Sequence, residues 1–245
     1  MTQQHRILVG DCIEMMRTLP DQSVHTCITS PPYFGLRDYG VDGQIGLEAS
    51  PREFIESLVA VFREVRRVLR DDGTIWVNIG DSYANDTKWG GSTSGKHVSA
   101  MHGNSGIGRR RTNTGLKSKD LIGIPWRLAL ALQDDGWYLR QDIIWHKPNP
   151  MPESIKDRCT KAHEYLFLLS KCPRYYFDQG ASGGMVLDPF GGAGTTALVA
   201  MQEGRQSVIC ELNPEYAALA RQRLDTAWIE GAAQMDFLLD QSPAA

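Results

Sequence analysis

This sequence of 245 residues lacks the marks of several common protein classes. Its five cysteines form no CxxC pair and have no histidine at metal-ligand spacing, so we expect reduced thiols and no metal. No apolar run approaches the ~18 residues that cross a membrane, and the polar N-terminus has no apolar stretch behind it. We therefore predict a cytoplasmic protein without a membrane partner.

A strong charge of one sign is also missing, because 26 Lys and Arg residues oppose 29 Asp and Glu residues, a formal net charge of −3. This balance excludes a strongly basic protein that coats DNA. The positive charge is concentrated in residues 82–119, which carry a net +6 and leave −9 for the remainder. This segment contains seven Gly, six Ser and only three aliphatic residues. It cannot bury a core, and we predict a flexible basic insertion loop that is a candidate nucleic-acid contact.

Short apolar runs alternate with helical patterns along the chain, which predicts an α/β fold with a mostly parallel sheet and helices on both faces. We interpret residues 1–245 as a single domain. The candidate strands are residues 7–9, 24–29, 74–80, 138–145, 165–170, 185–188 and 206–211. The candidate helices are residues 50–69, 124–133 and 214–229, with a turn at residues 71–73 and a further helix after the glycine-rich turn at 191–194.

A proline-rich loop, Ser30-Pro31-Pro32-Tyr33, directly follows the candidate strand 24–29. The two prolines restrict the backbone, so the loop can hold its groups in a fixed direction. Oxygen atoms of Ser30 and of the Pro31 backbone suit an exocyclic amine, and Tyr33 offers a stacking surface for a base. Taken alone, the same pattern is also typical of a proline turn with a core tyrosine.

A glycine-rich turn follows the candidate strand that ends at Asp188. Gly191, Gly192 and Gly194 allow backbone N–H groups to approach a nucleotide-like ligand at the start of a helix. Glu211 lies 23 residues beyond Asp188, where an acidic residue often binds ribose hydroxyls. The GxxxxGK[ST] phosphate motif is absent, and Asp188 would repel phosphate, which favours a cofactor with a cationic or neutral end.

Together, SPPY at 30–33 and DPFGGAGTT at 188–196 resemble the motifs of DNA amino-methyltransferases, which methylate cytosine N4 or adenine N6 with S-adenosylmethionine. Their order in the chain is that of the permuted β group. The resemblance extends to residues 10–12, 66–77, 116–121, 124–126, 145–152, 158 and 163–164. It implies a Rossmann-like S-adenosylmethionine-dependent methyltransferase fold with a mostly parallel seven-stranded sheet.

The resemblance also implies roles for individual residues. The residues expected to hold a flipped base are Ser30, Pro31, Pro32 and Tyr33. Those expected to hold the methionine end of the cofactor are Asp188, Phe190, Gly191, Gly194 and Thr195, with Glu211 at the ribose and Asp11 at the adenine. Independently of the resemblance, the charge of the basic loop makes Lys88, Arg109, Arg110, Arg111 and Lys117 candidate contacts with double-stranded DNA, and Lys147 and Arg158 suit contacts with phosphate or with a cofactor carboxylate.

The sequence departs from the family in one place. Residues 179–184 form a short connection where family members carry a longer segment, including a helix that closes one side of the cofactor pocket. We therefore expect weaker cofactor binding, and target recognition by residues 82–119. The first residue of the catalytic loop is Ser30, which favours cytosine N4 because adenine-N6 members mostly carry Asp there.

Three functions remain open from the sequence. The leading one is a site-specific DNA methyltransferase, a monomer or homodimer that can have a cognate restriction enzyme as partner. The second is methylation of RNA or of a protein amide, and the third is a shortened, weakly active or inactive relative that binds DNA. Methylation of cytosine C5 is disfavoured because it needs a nucleophilic cysteine after a proline, and the sequence has no Pro-Cys step.

Overall fold

A computed structural model describes residues 4–35, 38, 40–84, 115–150, 156–178 and 183–240, and for residues 229–240 it describes the backbone alone. Lys88 and the three arginines at 109–111 lie outside the described residues, as do positions 179–182 of the short connection. The elements are, in chain order, β1 His5–Val9, α1 Cys12–Arg17, β2 Val24–Thr29, α2 Pro51–Val68, β3 Leu69–Ile79, α3 Ile124–Asp134, β4 Tyr138–His146, β5 His163–Ser170, β6 Met185–Asp188, α4 Thr195–Gln202, β7 Gln206–Glu211 and α5 Pro214–Asp240.

The strands of the described chain form one seven-stranded sheet in the order β1-β7-β6-β2-β3-β5-β4. The pairs β1–β7, β7–β6, β6–β2 and β2–β3 are parallel, and β5 runs antiparallel to both of its neighbours, β3 and β4. The predicted fold, a mostly parallel sheet of the α/β class, is confirmed. Parallel strands place their carboxyl ends at one edge of the sheet, and in this fold class that edge binds ligands.

Helix α2 shows why its position could be predicted from the sequence. Ser50 caps its N-terminus by accepting a hydrogen bond from the Glu53 backbone N–H at 3.2 Å, and Pro51 occupies the first turn. Its apolar stripe, which includes Phe54 and Phe62, is fully buried. The helix ends at Val68, close to the predicted end.

Two local features differ from the prediction. Residues 71–73 do not form a separate turn, because β3 begins directly after α2 and these residues lie within it, where the register with β2 shifts between Val24 and Thr26. The short helix α1 was not predicted, since six residues are too few to show a helical period. Its start has a cap, because the Asp11 side chain accepts a hydrogen bond from the Glu14 backbone N–H.

The sheet carries a hydrophobic core on each face. The larger core lies under α1, α2 and α3 and includes Cys27, Phe54 and Leu128. The smaller one lies under α4 and α5, which pack on β1, β6 and β7, and includes Ile209 and Ala220. Both faces of this sheet therefore carry helices, as parallel sheets require.

The sheet face that carries α4 and α5 is more exposed at β2 and β3 than at the strands that these helices cover. Ile28 alternates with the buried Cys27 and so lies on this face, where it is 44% exposed. Beside it in the pairing register lies Trp76, whose ring contacts that of Phe177 at a centroid distance of 6.0 Å. Phe177 is the last aromatic residue before the short connection, so the exposed part of this face lies next to that connection.

Candidate active site

The two predicted loops border one cavity of about 390 Å³ at the carboxyl edge of the sheet. Its lining includes most of the residues that were assigned to catalysis or to the cofactor, namely Asp11, Ser30, Pro31, Pro32, Tyr33, Phe190 and Glu211. It also includes Gly192 of the glycine-rich turn and residues that had no predicted role, among them Val41, Gln44, Ile45, Leu212 and Tyr216. The volume lies in the range of cavities that bind small molecules and cofactors.

The charge of this cavity is informative about its ligand. Asp11 and Glu211 contribute carboxylates, and the described lining residues include no Lys, Arg or His. Such a lining opposes a phosphate group and suits a ligand that offers hydroxyl groups or a positive charge. The apolar side chains of Phe190, Ile45 and Leu212 add surfaces for a flat ring. S-adenosylmethionine, with ribose hydroxyls, an adenine ring, a sulfonium and an ammonium group, fits this donor set.

Glu211, at the end of β7, is held in a fixed orientation. One of its carboxylate oxygens accepts a hydrogen bond from the Gly192 backbone N–H at 2.7 Å, and the other accepts one from the Asn213 backbone N–H at 2.8 Å. Gly192 has a φ of +51°, and a Cβ atom built there would meet no other atom within 4 Å. The cavity therefore has free space beside a preorganised carboxylate, which matches a ribose site.

Asp188 lies below the cavity lining and is 5% exposed. Its carboxylate accepts hydrogen bonds from the Thr29 hydroxyl at 2.7 Å, the Thr196 hydroxyl at 2.6 Å and the Phe190 backbone N–H at 3.0 Å. Burial raises the pKa of Asp188 above its ordinary value, although these hydrogen bonds act in the opposite direction. Through Thr29, which directly precedes the proline-rich loop, Asp188 connects the two loops.

Two of the glycines selected from the sequence serve packing in this structure. A Cβ atom at Gly191 would lie 2.8 Å from the Cβ of Ile209, so the turn approaches β7 closely. Gly194 precedes α4 with a φ of +78°, and a Cβ atom there would lie 2.7 Å from the Cβ of Ala220 on α5. Thr195 is exposed and outside the lining of the cavity.

The catalytic loop presents Ser30 at the surface of the carboxyl edge. The Ser30 hydroxyl lies 3.5 Å from the side-chain oxygen of Asn78, at the limit of a hydrogen bond. The Asn78 amide in turn donates to the Tyr165 backbone carbonyl at 3.3 Å, which orients its oxygen towards the loop. Sequence reasoning did not find Asn78, because it lies in a neighbouring strand 48 positions away.

The Tyr33 ring packs directly against the backbone of Gly80. A Cβ atom at position 80 would lie only 2.7 Å from the Tyr33 Cε2 atom. Burial raises the pKa of the Tyr33 phenol well above its ordinary value, and the neighbouring Glu164 carboxylate raises it further. Lys147, which the sequence analysis assigned to DNA, donates a hydrogen bond to that same Glu164 carboxylate.

Both ends of the basic insertion are anchored beside this site. The Asp81 carboxylate accepts hydrogen bonds from the backbone N–H groups of Gly123 and Ile124, each at 3.0 Å, at the start of α3. Tyr83 pairs with Leu121 in an antiparallel bridge. These contacts hold the two ends of the basic insertion close together.

Three of the residues predicted to contact DNA lie within the described chain. Lys117 is exposed near the end of the insertion, and Lys147 binds Glu164. The Arg158 guanidinium lies 3.7 Å from the centre of the Tyr83 ring. All three are in segments next to the carboxyl edge or the base of the insertion.

The described residues contain neither a candidate membrane span nor a candidate metal site. No helix in those ranges has both the length and the apolar character that crossing a membrane requires. The same ranges contain no group of three His, Cys, Asp or Glu side chains arranged to hold a metal ion.

The sequence matches known DNA methylases. The N6/N4 DNA methylase family matches residues 24–182 and 180–222, two segments that meet within the short connection. The type II methyltransferase M.Cfr9I of Citrobacter freundii is 46% identical over 261 residues, which cover 88% of this chain and 86% of that protein. M.SmaI of Serratia marcescens is 45% identical over 267 residues, covering 89% and 90%.

Solved structures show the same fold. TTHA0409 of Thermus thermophilus, complexed with S-adenosyl-L-methionine, has a TM-score of 0.66 at 24% identity and covers 91% of this chain and 95% of its own. The cytosine-N4-specific PvuII DNA methyltransferase has a TM-score of 0.65 at 20% identity, with coverages of 91% and 86%. By its family match and its close relatives, the chain belongs to the N6/N4 DNA methylase family and is a DNA amino-methyltransferase that uses S-adenosylmethionine.

Proposed function

We propose that this chain is a type II, site-specific methyltransferase that methylates N4 of a flipped cytosine in double-stranded DNA. The observation that carries the proposal is the single cavity bordered by the SPPY loop on one side and by Gly192 and Glu211 on the other. An amine held by the first group of residues and a cofactor held by the second would therefore meet in one place. Such proximity is the main requirement of a direct methyl transfer.

The cofactor, when bound, supplies an electrophilic methyl group on a sulfonium sulfur. In this proposal the Ser30 hydroxyl and the Pro31 carbonyl, both in the cavity lining, accept the hydrogens of the target amine. Accepting them draws electron density onto the nitrogen and favours a tetrahedral geometry, so that its lone pair is free to attack. Tyr33 supplies a surface on which the extruded base stacks.

In this proposal Glu211 binds the ribose hydroxyls, Asp11 the adenine edge, and Phe190 packs beside the methionine end. Contacts of Asp188, Gly191, Gly194 and Thr195 with the methionine end stay predictions. The contacts described for Asp188 and the two glycines are with protein groups, so these residues support the shape of the cavity.

The choice of cytosine rests on Ser30. Mass spectrometry of nucleosides from a host that expresses the protein should show N4-methylcytosine, and sequencing of the same DNA should give the recognition site. Ser30→Ala and Tyr33→Ala are the matched variants, which should lose the modification while they still bind DNA. N6-methyladenine in place of N4-methylcytosine would refute the choice of base, and unmodified DNA would favour the inactive DNA-binding alternative.

We propose that the basic insertion contacts DNA phosphates, because both of its ends are anchored beside the catalytic loop. Each phosphate contact adds about 0.9 to the slope of log affinity against log salt concentration. Replacing the three arginines at 109–111 with alanine should therefore flatten that slope by up to about 3. Arg52→Ala, an exposed position on α2, is the control. An unchanged slope in the triple variant would exclude these phosphate contacts.

We also propose that the short connection weakens cofactor binding. The sheet face beside it is partly open at Ile28, so this side of the protein lacks a covering element among the described residues. Titration calorimetry with S-adenosylmethionine should give a higher dissociation constant than M.Cfr9I measured in parallel. An equal or lower constant would contradict the proposal. The setting we propose is the cytoplasm of a cell in which a restriction enzyme reads the same site.

A further inference from the structure

We propose that Glu164, held by Lys147, is a positioning residue that fixes the Tyr33 ring at the catalytic loop. This inference rests on the proposed function, in which Tyr33 stacks on the flipped base. Neither Glu164 nor Lys147 lines the cavity, so an effect of this pair on the groups inside the cavity passes through another residue. Tyr33, which does line it, is the neighbour through which they would act.

Tyr33 needs support from outside its own loop. The prolines at 31 and 32 restrict their own backbone angles, and they leave the side-chain torsions of Tyr33 free. Gly80 limits the ring on one side, since the ring lies where only a residue without a Cβ atom leaves room for it. The Ser30 hydroxyl and the Gly80 backbone N–H also contact the phenol and lower its pKa, so they act as donors to its oxygen, and the phenol proton still needs an acceptor.

The sheet places Glu164 where it can provide that contact. Ile79 pairs with Tyr165 across β3 and β5, which puts the residue before Tyr165 next to Gly80. Glu164 itself pairs with Trp145 on β4 and has a side chain that is only 18% exposed. Its backbone is thus held by β4 on one side and faces Gly80, the residue that follows β3, on the other.

The chemistry of Tyr33 and Glu164 determines which of the two donates the hydrogen bond. In this proposal the Tyr33 phenol donates a hydrogen bond to Glu164, because a carboxylate group without its proton only accepts hydrogen bonds. Burial and the Glu164 charge raise the pKa of the phenol, which keeps its proton in place over the range in which enzymes work. A hydrogen bond to a charged acceptor is stronger and more directional than one to a neutral group.

Lys147 offsets the cost of burying the Glu164 carboxylate. A carboxylate with little exposure is costly unless a cation and donors satisfy it. The Lys147 ammonium contacts Glu164, and the Lys147 backbone N–H donates to the Ala162 carbonyl at 2.8 Å, which ties the lysine to the start of β5. The order of support is therefore Lys147 to Glu164, and Glu164 to the Tyr33 hydroxyl.

A double-mutant cycle tests this order of support. The variants are Tyr33→Phe, which keeps the ring and removes the hydroxyl, Glu164→Ala, the double variant and the conservative Glu164→Gln. Single-turnover methyl transfer is measured on a duplex that carries the site found by sequencing. Emission of 2-aminopurine at the target position reports how the flipped base stacks. Glu56→Gln, which breaks an exposed ion pair on α2, is the control.

Tyr33→Phe and Glu164→Ala should each slow the transfer about tenfold, equivalent to about 1.4 kcal/mol. The double variant should be no slower than either single one, because both changes break the same contact. Glu164→Gln should retain a rate within about threefold of the unmodified enzyme, since an amide oxygen still accepts the phenol proton. The emission should change alike in both single variants, and cofactor affinity should stay constant.

Multiplicative losses of about a hundredfold in the double variant would show that Glu164 acts independently of the Tyr33 hydroxyl, and would overturn the inference. So would an unchanged rate in Glu164→Ala. Failure of the proposed function is a separate result, because Tyr33→Ala would then leave the transfer rate unchanged. A purely structural role for Glu164 would lower the melting temperature in both Tyr33 backgrounds equally and leave the emission unaltered.

Discussion

Replacing Gly80 with alanine inserts one methyl group against the Tyr33 ring without disturbing the backbone, since Gly80 has no positive φ. The new Cβ atom would lie 2.7 Å from Cε2 and 3.1 Å from Cζ of the ring. The ring must therefore move by about 0.7 Å or more to reach an ordinary contact distance of 3.4 Å. A displacement of this size at a reacting group reduces rates by about 10 to 100 fold.

The cost in stability is smaller than the cost in activity. Overpacking by one methyl group costs about 1–3 kcal/mol, and the loss of glycine freedom in the unfolded chain returns about 0.4–1 kcal/mol. We expect the free energy of unfolding to fall by about 1–2 kcal/mol. The assay is single-turnover methyl transfer at saturating cofactor, accompanied by urea unfolding of the same preparation.

Gly204→Ala is the matched control. Gly204 has a φ of +64° and no neighbour within 4 Å of a built Cβ atom, so alanine there brings backbone strain without a clash. Its expected loss of stability is also about 1–2 kcal/mol, and it lies outside the cavity lining. Full activity in a folded Gly80→Ala variant, or an equal loss of activity in both variants, would refute the reasoning.

Three further predictions concern the cofactor site, pH and the link between the loops. Gly192→Ala should raise the dissociation constant of S-adenosylmethionine about tenfold in calorimetry, because a Cβ atom there enters free space beside Glu211, whereas Gly204→Ala should not. His25 Nδ1 accepts a hydrogen bond from the Met185 backbone N–H at 2.9 Å, and burial lowers its pKa. The folded state therefore binds fewer protons, so His25 stabilises the protein above its unfolded pKa of 6.5 and this contribution is lost as the pH falls through the lower folded pKa. His25→Gln should remove that part of the decrease in unfolding free energy. Asp188→Ala should lower the free energy of unfolding by about 3 kcal/mol in urea, since three donors lose their acceptor, and a loss below about 1 kcal/mol would contradict this.

Local patterns predicted the elements well where a buried run or stripe was long enough to show a period. The limits of β2, β6 and β7 agree with the predicted ones, because each contains short apolar or β-branched stretches bounded by polar or turn residues. Strand β3 begins at Leu69, five residues before the predicted start, because α2 passes directly into it. The reversed direction of β5 depends on pairing with two other strands, which a local pattern does not contain.

In the candidate site, too, local motifs predicted some features, and others depend on how the strands pair. SPPY and the glycine-rich turn were readable because each is a continuous motif, and the structure brings both to one cavity. The contacts that connect and orient them were not readable. Thr29 and Asp188 are 159 positions apart, and Glu164 lies next to Gly80 only because β5 lies beside β3. A pattern search finds the groups that face a ligand, and the sheet determines which residues hold those groups.

The closed base of the basic insertion has a consequence for engineering. The Tyr83–Leu121 bridge and hydrogen bonds between Ala84 and the Lys119–Asp120 backbone hold the two ends together, independently of what lies between them. Changing the length of the intervening chain then costs mainly loop-closure entropy, about 0.6 kcal/mol for each doubling. We therefore predict that residues 85–114 can be replaced by the corresponding segment of another methylase while the fold of the catalytic edge stays intact.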